Sequence, residues 1–303
     1  MLSIDEARDV VLRATRPLPA ETVALAAALD RVLAAPVSAA TDVPRFVNSA
    51  MDGFAVQAGP ADRGLRIVGE SRAGAPATVA VGPGEAVRIS TGAAVPEGAD
   101  AVIMVERTSE AHGEVRVEAA TAAGENLRHP GEDMRAGAVV LAPGIRIGPA
   151  EVGVAANAGV ASVRCIRRPT VVILATGDEL VTPGAPLGPG QIHDSNALTL
   201  AALTRRAGAV VAHAGEVPDT PQATEAAVRA AFTMGDVVIC SGGVSVGPHD
   251  HVKPALLAAG VEERFWRVAL RPGKPTWFGV RGHQLAFGLP GNPVSAMVTF
   301  LLF

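Results

Sequence analysis

"TVVILATGDEL", residues 170–180, runs seven apolar or β-branched residues straight into a glycine and two carboxylates. An unbroken apolar run closed by a turn residue predicts a strand buried on both faces, as in a parallel sheet flanked by helices. The surrounding sequence repeats the texture. Residues 195–207 have helical periodicity, "AVVAHAG" (209–215) predicts a strand, and 220–232 are helical again. "DVVICSGG" (236–243) gives a third strand, a helix follows near 252–259, and "FWRVAL" (265–270), "PTWFGV" (275–280) and "QLAFGLP" (284–290) predict three more strands. This alternation defines an open, mostly parallel α/β domain over 169–303.

Three loops after these strands are rich in glycine: "TGDEL" (176–180), "SGGVSVGPHD" (241–250) and "LPGNPVSA" (289–296). Ligands of open α/β sheets bind beyond the carboxyl ends of the strands, where loops and helix N-termini converge. Either these loops face one crevice or they are only tight turns; their acidic and hydroxyl residues favour the crevice. No G-x-x-x-x-G-K-[ST] or G-x-G-x-x-G follows a strand, so a kinase-like or dinucleotide enzyme is disfavoured.

"LRPGKPTWFG" (270–279) contains Lys274, one of only two lysines among 26 basic residues. Arg267 and Arg271, four residues apart on the predicted strand, fall on one face by period-two alternation. With Lys274 in a proline-restrained loop, the three cations form either an oxyanion trap or a solvated basic edge that resists aggregation.

Upstream the texture differs. Ser3 and Glu6 make a capping-box pattern before Ala7, Val10, Val11 and Ala14, predicting a helix over 4–15. "TVALAAALDRVLAAPV" (22–37) suits a short strand and then a helix. "LRIVGE", "ATVAV", "EAVRIS", "AVIMVE" and "GEVRVE", bounded by glycine and proline, predict an all-β module over 49–143. Residues 144–168 have small-residue helical character and then a short strand, expected to return onto the N-terminal helices, so that 1–48 and 144–168 form one helical and linker domain.

A formal charge of −4 argues against a general nucleic-acid surface, leaving any anionic ligand to a local pocket. Cys165 and Cys240 lack metal or disulfide spacing, which fits a reducing cytosol. The N-terminus has no apolar signal core, and no run approaches the roughly 20 apolar residues of a membrane span. The expected setting is cytoplasmic.

Eight strings together resemble one family: "NSAMDGFAV" (48–56), "RISTGAAVPEGADAVIMVE" (88–106), "GEDMRAGAVV" (131–140), "ATGDELVTPG" (175–184), "GQIHDSNALTL" (190–200), "SGGVSVGPHD" (241–250), "RPGKP" (271–275) and "GLPGNPVSA" (288–296). They are similar to, and in the same order as, motifs of the molybdopterin molybdenumtransferases, the MoeA family that includes the gephyrin E domain. The resemblance implies insertion of molybdenum from molybdate into adenylylated molybdopterin, with Mg²⁺ and release of AMP. It also implies a homodimer and a partner that supplies the adenylylated pterin. The alternative is a scaffold that binds the pterin without metal insertion.

By that resemblance Asp52, Thr91 and Asp133 match polar positions at the family's cleft, although an aspartate before glycine equally suits a turn. Glu179 and Asp250 match acidic positions, as magnesium ligands or as helix-capping residues. Asp219 matches another, with an N-cap of the next helix the stronger expectation. Arg267, Arg271, Lys274 and the hydroxyl of Ser295 match the oxyanion pocket, with Arg271 standing where the family pattern favours lysine. Thr176, Gly177, Ser241, Gly242, Gly243 and Ser245 are expected around the pterin phosphate or adenylate. Pro290, Gly291, Asn292 and Pro293 shape the last loop, with Pro293 suited to the first turn of a helix. "NPVSAMVTFLLF" stays apolar to its last residue, so the chain is expected to stop within a helix, ahead of the C-terminal β-barrel domain that family members carry.

Overall fold

The protein was analysed as a computed structural model that describes residues 1–244 and 250–303. It divides into two units, Met1–Glu21 with Ile166–Phe303, and Thr22–Cys165.

The first unit is built on a six-stranded sheet. In spatial order its strands are Val210–Val217, Thr170–Thr176, Val237–Ser241, Gln284–Leu289, Trp277–Arg281 and Glu262–Trp266. The first four are parallel, and Trp277–Arg281 runs antiparallel to both of its neighbours, with Val172 opposite Val238 and Val238 opposite Ala286. Side chains of a strand alternate between faces, so "VVIL" supplies two cores at once. Val172 and Leu174 pack with Val228 and Phe232 of helix α4 (Pro221–Met234) and Leu256 of α5 (Val252–Ala258). Val171 and Ile173 pack with Leu200 of α3 (Asn196–Arg206) and Ala296 of α6 (Pro293–Leu302). Each fully buried Leu or Ile contributes about 1.5–3 kcal/mol by leaving water.

Helix α1 (Ile4–Ala14) starts with the expected box: Ser3 N–H donates to Glu6 Oε2 at 2.7 Å, and Glu6 N–H donates to Ser3 Oγ at 3.2 Å. Its buried Ala7 and Val11 lie against Phe265, Phe278 and Val280. The helix therefore packs on the α/β sheet and not, as expected, on residues 144–168.

The second unit contains a six-stranded sheet in the order Ala101–Met104, Gly53–Val56, Glu85–Ile89, Arg63–Ser71, Glu114–Val117, Thr108–Ala111. All its pairings are antiparallel except that between Arg63–Ser71 and Glu85–Ile89. Phe54, Val56, Ile103 and Val115 form part of its core. A second cluster joins Leu33, Val37 and Ile147 to Ala155 of α2 (Pro149–Asn157) and Val163.

Three local expectations fail. "ATVAV" is not a strand: Glu85–Ile89 already pairs on both sides, and Val81 is buried from a loop whose N–H donates to the Glu97 carbonyl. "TVALAAALDRVLAAPV" gives the strand Ala20–Ala24 and one 3-10 turn, Leu25–Ala27, but no α-helix. Its chain instead reverses through Asp30 at φ 62°. "FWRVAL" leaves the sheet at Trp266, because Arg267 takes a left-handed φ of 72°. The shared strand face expected for Arg267 and Arg271 does not exist.

Candidate functional site

Glycine-bearing loops meet at the carboxyl edge of the four parallel strands. A cavity of about 310 Å³ opens there, lined by Thr176, Gly177 and Glu179 after the first strand in sequence and by Gly242, Gly243 and Val244 after the third. Pro290 and Gly291 close a third side, and Asp219, Asp250 and Pro275 complete the wall. A neighbouring cavity of about 60 Å³ shares Thr176, Glu179 and Gly291, and adds Asp194, Asn196, Ser241 and Pro293.

The backbone here demands glycine at two points. Gly242 has φ 92°, and a Cβ on it would stand 2.7 Å from the Thr176 carbonyl oxygen. A Cβ on Gly177 would lie 2.5 Å from Glu179 Oε2. A side chain at Gly242 would push into the Thr176 main chain, whereas at Gly177 the φ of 155°, and not the movable end of Glu179, selects glycine, so main chain is left to form the wall.

Hydrogen bonds fix those loops to one another. Asn196 Nδ2 donates to Ser241 Oγ at 2.8 Å and to the Gly291 carbonyl at 2.7 Å, while Ser241 Oγ donates to the Pro290 carbonyl at 3.3 Å. Gly242 N–H donates to the Leu289 carbonyl at 3.1 Å. The start of α3 thus ties the second and third glycine loops together. Asn292 caps α6, its side chain accepting from Val294 and Ser295 N–H groups, with Pro293 in the first turn as expected. Ser295 is buried one turn into α6 and lines neither cavity.

Asp219 differs from expectation. The cap of α4 is Thr220, whose Oγ1 accepts from Ala223 N–H at 3.3 Å, because its side chain is the one positioned over the first turn. Asp219 instead lines the larger cavity, its N–H held by Asp178 Oδ1 at 2.9 Å. Glu179, Asp219 and Asp250 therefore wall one space.

That donor set suits a hard cation. Magnesium is commonly held by one or two carboxylates together with substrate phosphate oxygens, not by a complete protein cage. Among the described residues no three His, Cys, Asp or Glu side chains form a metal-holding cluster.

Of the basic residues, Arg267 lies with its guanidinium carbon 4.1 Å from the Trp266 ring centroid. Arg271 and Lys274 are exposed on the loop that leads to Pro275 in the cavity wall. This loop is braced from within: Thr276 Oγ1 donates to the Gly273 carbonyl at 2.7 Å, and Val268 N–H to the Lys274 carbonyl at 3.1 Å. Burial pushes the Cys240 thiol up to about 12, so it behaves as a core residue and not as a nucleophile. Ser245 lies outside the described residues.

The remaining predicted positions belong to the second unit. Asp52 Oδ1 accepts from Thr91 N–H at 2.7 Å, joining two of them. Asp133 pairs with Arg128, and its N–H donates to the Val43 carbonyl at 2.9 Å. Sequence reasoning singled out neither Asn196 nor Asp194, nor Pro275. The first two lie within "GQIHDSNALTL", which the family resemblance included; Asp194 accepts from the nearby Ala197 N–H, whereas the partners of Asn196 are set by tertiary structure.

An open α/β sheet whose carboxyl edge carries backbone-lined loops and carboxylates defines a domain that binds an anionic small molecule, here joined to a β-rich unit. Comparison with known proteins narrows that class. Residues 2–159 match the MoeA N-terminal region (domain I and II), and residues 172–303 match a probable molybdopterin binding domain. The chain is 41% identical to a molybdopterin molybdenumtransferase of Haemophilus influenzae, over 99% of its own length and 75% of that protein's. It is 38% identical to one of Bacillus subtilis, over 100% of its own length and 73% of the relative's. A crystal structure of a MoeA molybdopterin biosynthesis protein from Pyrococcus horikoshii superimposes with a TM-score of 0.82 at 31% identity, covering 100% of this chain and 78% of that one. The chain belongs to the MoeA family.

Proposed function

We infer that this chain is a molybdopterin molybdenumtransferase, which inserts molybdenum from molybdate into adenylylated molybdopterin and releases AMP. The observation that carries this reading is the similarity to curated molybdenumtransferases along nearly the whole chain. The cavity at the sheet's carboxyl edge is the place proposed for the pterin.

In this reading the main-chain N–H groups of Gly177 and Gly243, beside Thr176, receive the pterin phosphate or adenylate, while Ser241 and Gly242, whose donors are taken within the loops, shape the wall. Pro290, Gly291, Asn292 and Pro293 hold the opposite wall. Glu179 and Asp250 are proposed to hold Mg²⁺, which when bound polarises the phosphate whose bond to AMP breaks. Asp219 adds a further carboxylate to that wall. Arg267, Arg271 and Lys274 are assigned to the molybdate dianion, Arg271 offering a planar fork where lysine would offer a point charge, while the buried Ser295 is left to the packing of α6. Asp52, Thr91 and Asp133 are assigned to the same reaction from the β-rich unit. A homodimer, a partner that delivers the adenylylated pterin and a cytoplasmic setting belong to the same proposal. Among the described residues no helix is long and apolar enough to cross a membrane.

The test is single-turnover AMP release from adenylylated molybdopterin by the purified chain with Mg²⁺, with and without molybdate. Molybdate-dependent release is expected; tight pterin binding with no release under either condition would leave a scaffold.

A further inference from the structure

Two cations of the α/β unit meet at one indole. The strand Glu262–Trp266 ends on Trp266, opposite Trp277 in the ladder. Arg267 lies 4.1 Å from the Trp266 ring centroid, and Lys253 Nζ of α5 lies 4.2 Å from the same centroid. Like charges this close repel unless something offsets them. Glu263 does so for Lys253, at 2.8 Å, and its carboxylate also accepts from Trp277 Nε1 at 2.7 Å. Among the described residues Arg267 has no such carboxylate. Its main chain is held in the left-handed region at φ 72°, with its N–H on the Thr276 carbonyl at 3.0 Å.

The polar end of the same indole reaches elsewhere. Trp266 Nε1 donates to the Val244 carbonyl at 3.1 Å, in the loop that carries Gly242 and Gly243 into the cavity wall. A guanidinium beside an aromatic ring is restrained without using up its N–H donors, which stay available for an oxyanion. An arginine restrained by a carboxylate would have its charge already neutralised.

We propose that Trp266 is a positioning residue for molybdenum transfer, its ring restraining the Arg267 guanidinium for the oxyanion while its N–H fixes the glycine loop for the pterin. One side chain thereby sets both substrates' contacts. The proposal rests on the assignment of Arg267 to molybdate given above.

Its two halves separate by substitution. Trp266→Phe keeps a ring but loses the N–H; Trp266→Leu loses both. Calorimetric titration of the full chain with molybdate should show about three- to tenfold weaker binding for W266L and near-parent binding for W266F. Titration with adenylylated molybdopterin should weaken several-fold, roughly equally, in both variants, since both lack the bond to Val244. A role in packing alone would not divide the two ligands in this way. Intrinsic emission of the W277F variant, in which Trp266 is the sole indole, should respond to molybdate and lose that response when Arg267→Ala is added. Parent-like molybdate affinity in W266L beside weakened affinity in R267A overturns the positioning role and leaves the oxyanion assignment standing. Unchanged affinity in R267A overturns the assignment itself, and the positioning role with it. Should W266L fail to fold, W266F decides through pterin affinity, an unchanged value overturning the proposal.

Discussion

In the β-rich unit, Asp52 holds the Thr91 N–H and Asp133 pairs with Arg128, so both motif carboxylates brace their own loops. In the α/β unit, Glu179, Asp219 and Asp250 line a cavity whose loops are braced by other groups, chiefly Asn196 and Ser241. Residues of the same chemical type thus face different demands. Where a neutral amide and two carbonyls carry the loop geometry, Glu179 can turn toward a ligand; where a carboxylate carries it, removing that carboxylate costs structure first.

Substitutions sharpen this contrast, and the largest effect is expected in the β-rich unit. A Cβ on Gly53 would stand 1.9 Å from the Ile103 carbonyl oxygen, in the ladder between Gly53–Val56 and the edge strand Ala101–Met104. Gly53→Ala should therefore cost about 3 kcal/mol or more, seen by calorimetry as a lowered transition of that unit. Asp250→Ala should lower the rate of AMP release on the order of a hundredfold while leaving pterin affinity near the parent value. A variant that melted early but turned over normally would reverse the contrast. Asp52→Ala should cost about 1 kcal/mol of stability in the β-rich unit. Asp52→Asn can keep the Oδ1 contact to Thr91, so any further loss of turnover in Asn reports charge alone.

Between these effects lies Asp236, at the base of the α/β unit. Arg167 reaches it with two bonds of 2.9 and 2.8 Å, and Thr170 N–H donates at 2.7 Å. The Arg167 guanidinium, and to a lesser extent the Thr170 N–H, holds the Asp236 carboxyl below its ordinary range despite partial burial. Its folded pKa thus lies below the unfolded one, about 3.9. The resulting stability is fully present above that value and is lost as pH falls through the folded pKa. Asp236→Asn should cost about 2 kcal/mol at neutral pH, and the stability curves of variant and parent should converge in acid. Parallel curves would remove the carboxylate's charge from the account. Convergence would show that the contrast separates cavity from framework, and not one unit from the other.

The sheet was legible in the sequence where burial on both faces left little choice. "TVVILAT" and "DVVIC" carry their partners' spacing in their own apolar runs, and Ser3 with Glu6 needs only one helical turn to be recognised. The site was legible as loops, since glycine and acidic residues mark a strand's carboxyl end. Arg267 was not, because alternation assumes a strand that continues, and its left-handed turn depends on neighbours such as Thr276. Asn196 was equally hidden: one of its acceptors lies 95 residues away, and nothing beside it separates that role from an ordinary helix start. The run 22–37 misled because alanine is a strong helix former, yet propensity is worth only tenths of a kcal/mol per residue, and Leu33 and Val37 gain more by joining the cluster around Ile147.

The seat of α1 on Phe265, Phe278 and Val280 has a consequence for synthesis. The helix is translated ahead of the β-rich unit, yet the surface that receives it is translated after that whole unit. Between Cys165 and Phe265 the nascent chain grows by about 100 residues, which at roughly 5–20 residues per second takes on the order of ten seconds. Throughout that interval the apolar stripe of Ala7 and Val11 has no native partner. A helix made before the β-rich unit is therefore seated only after it, and until then it offers a natural handle for a chaperone.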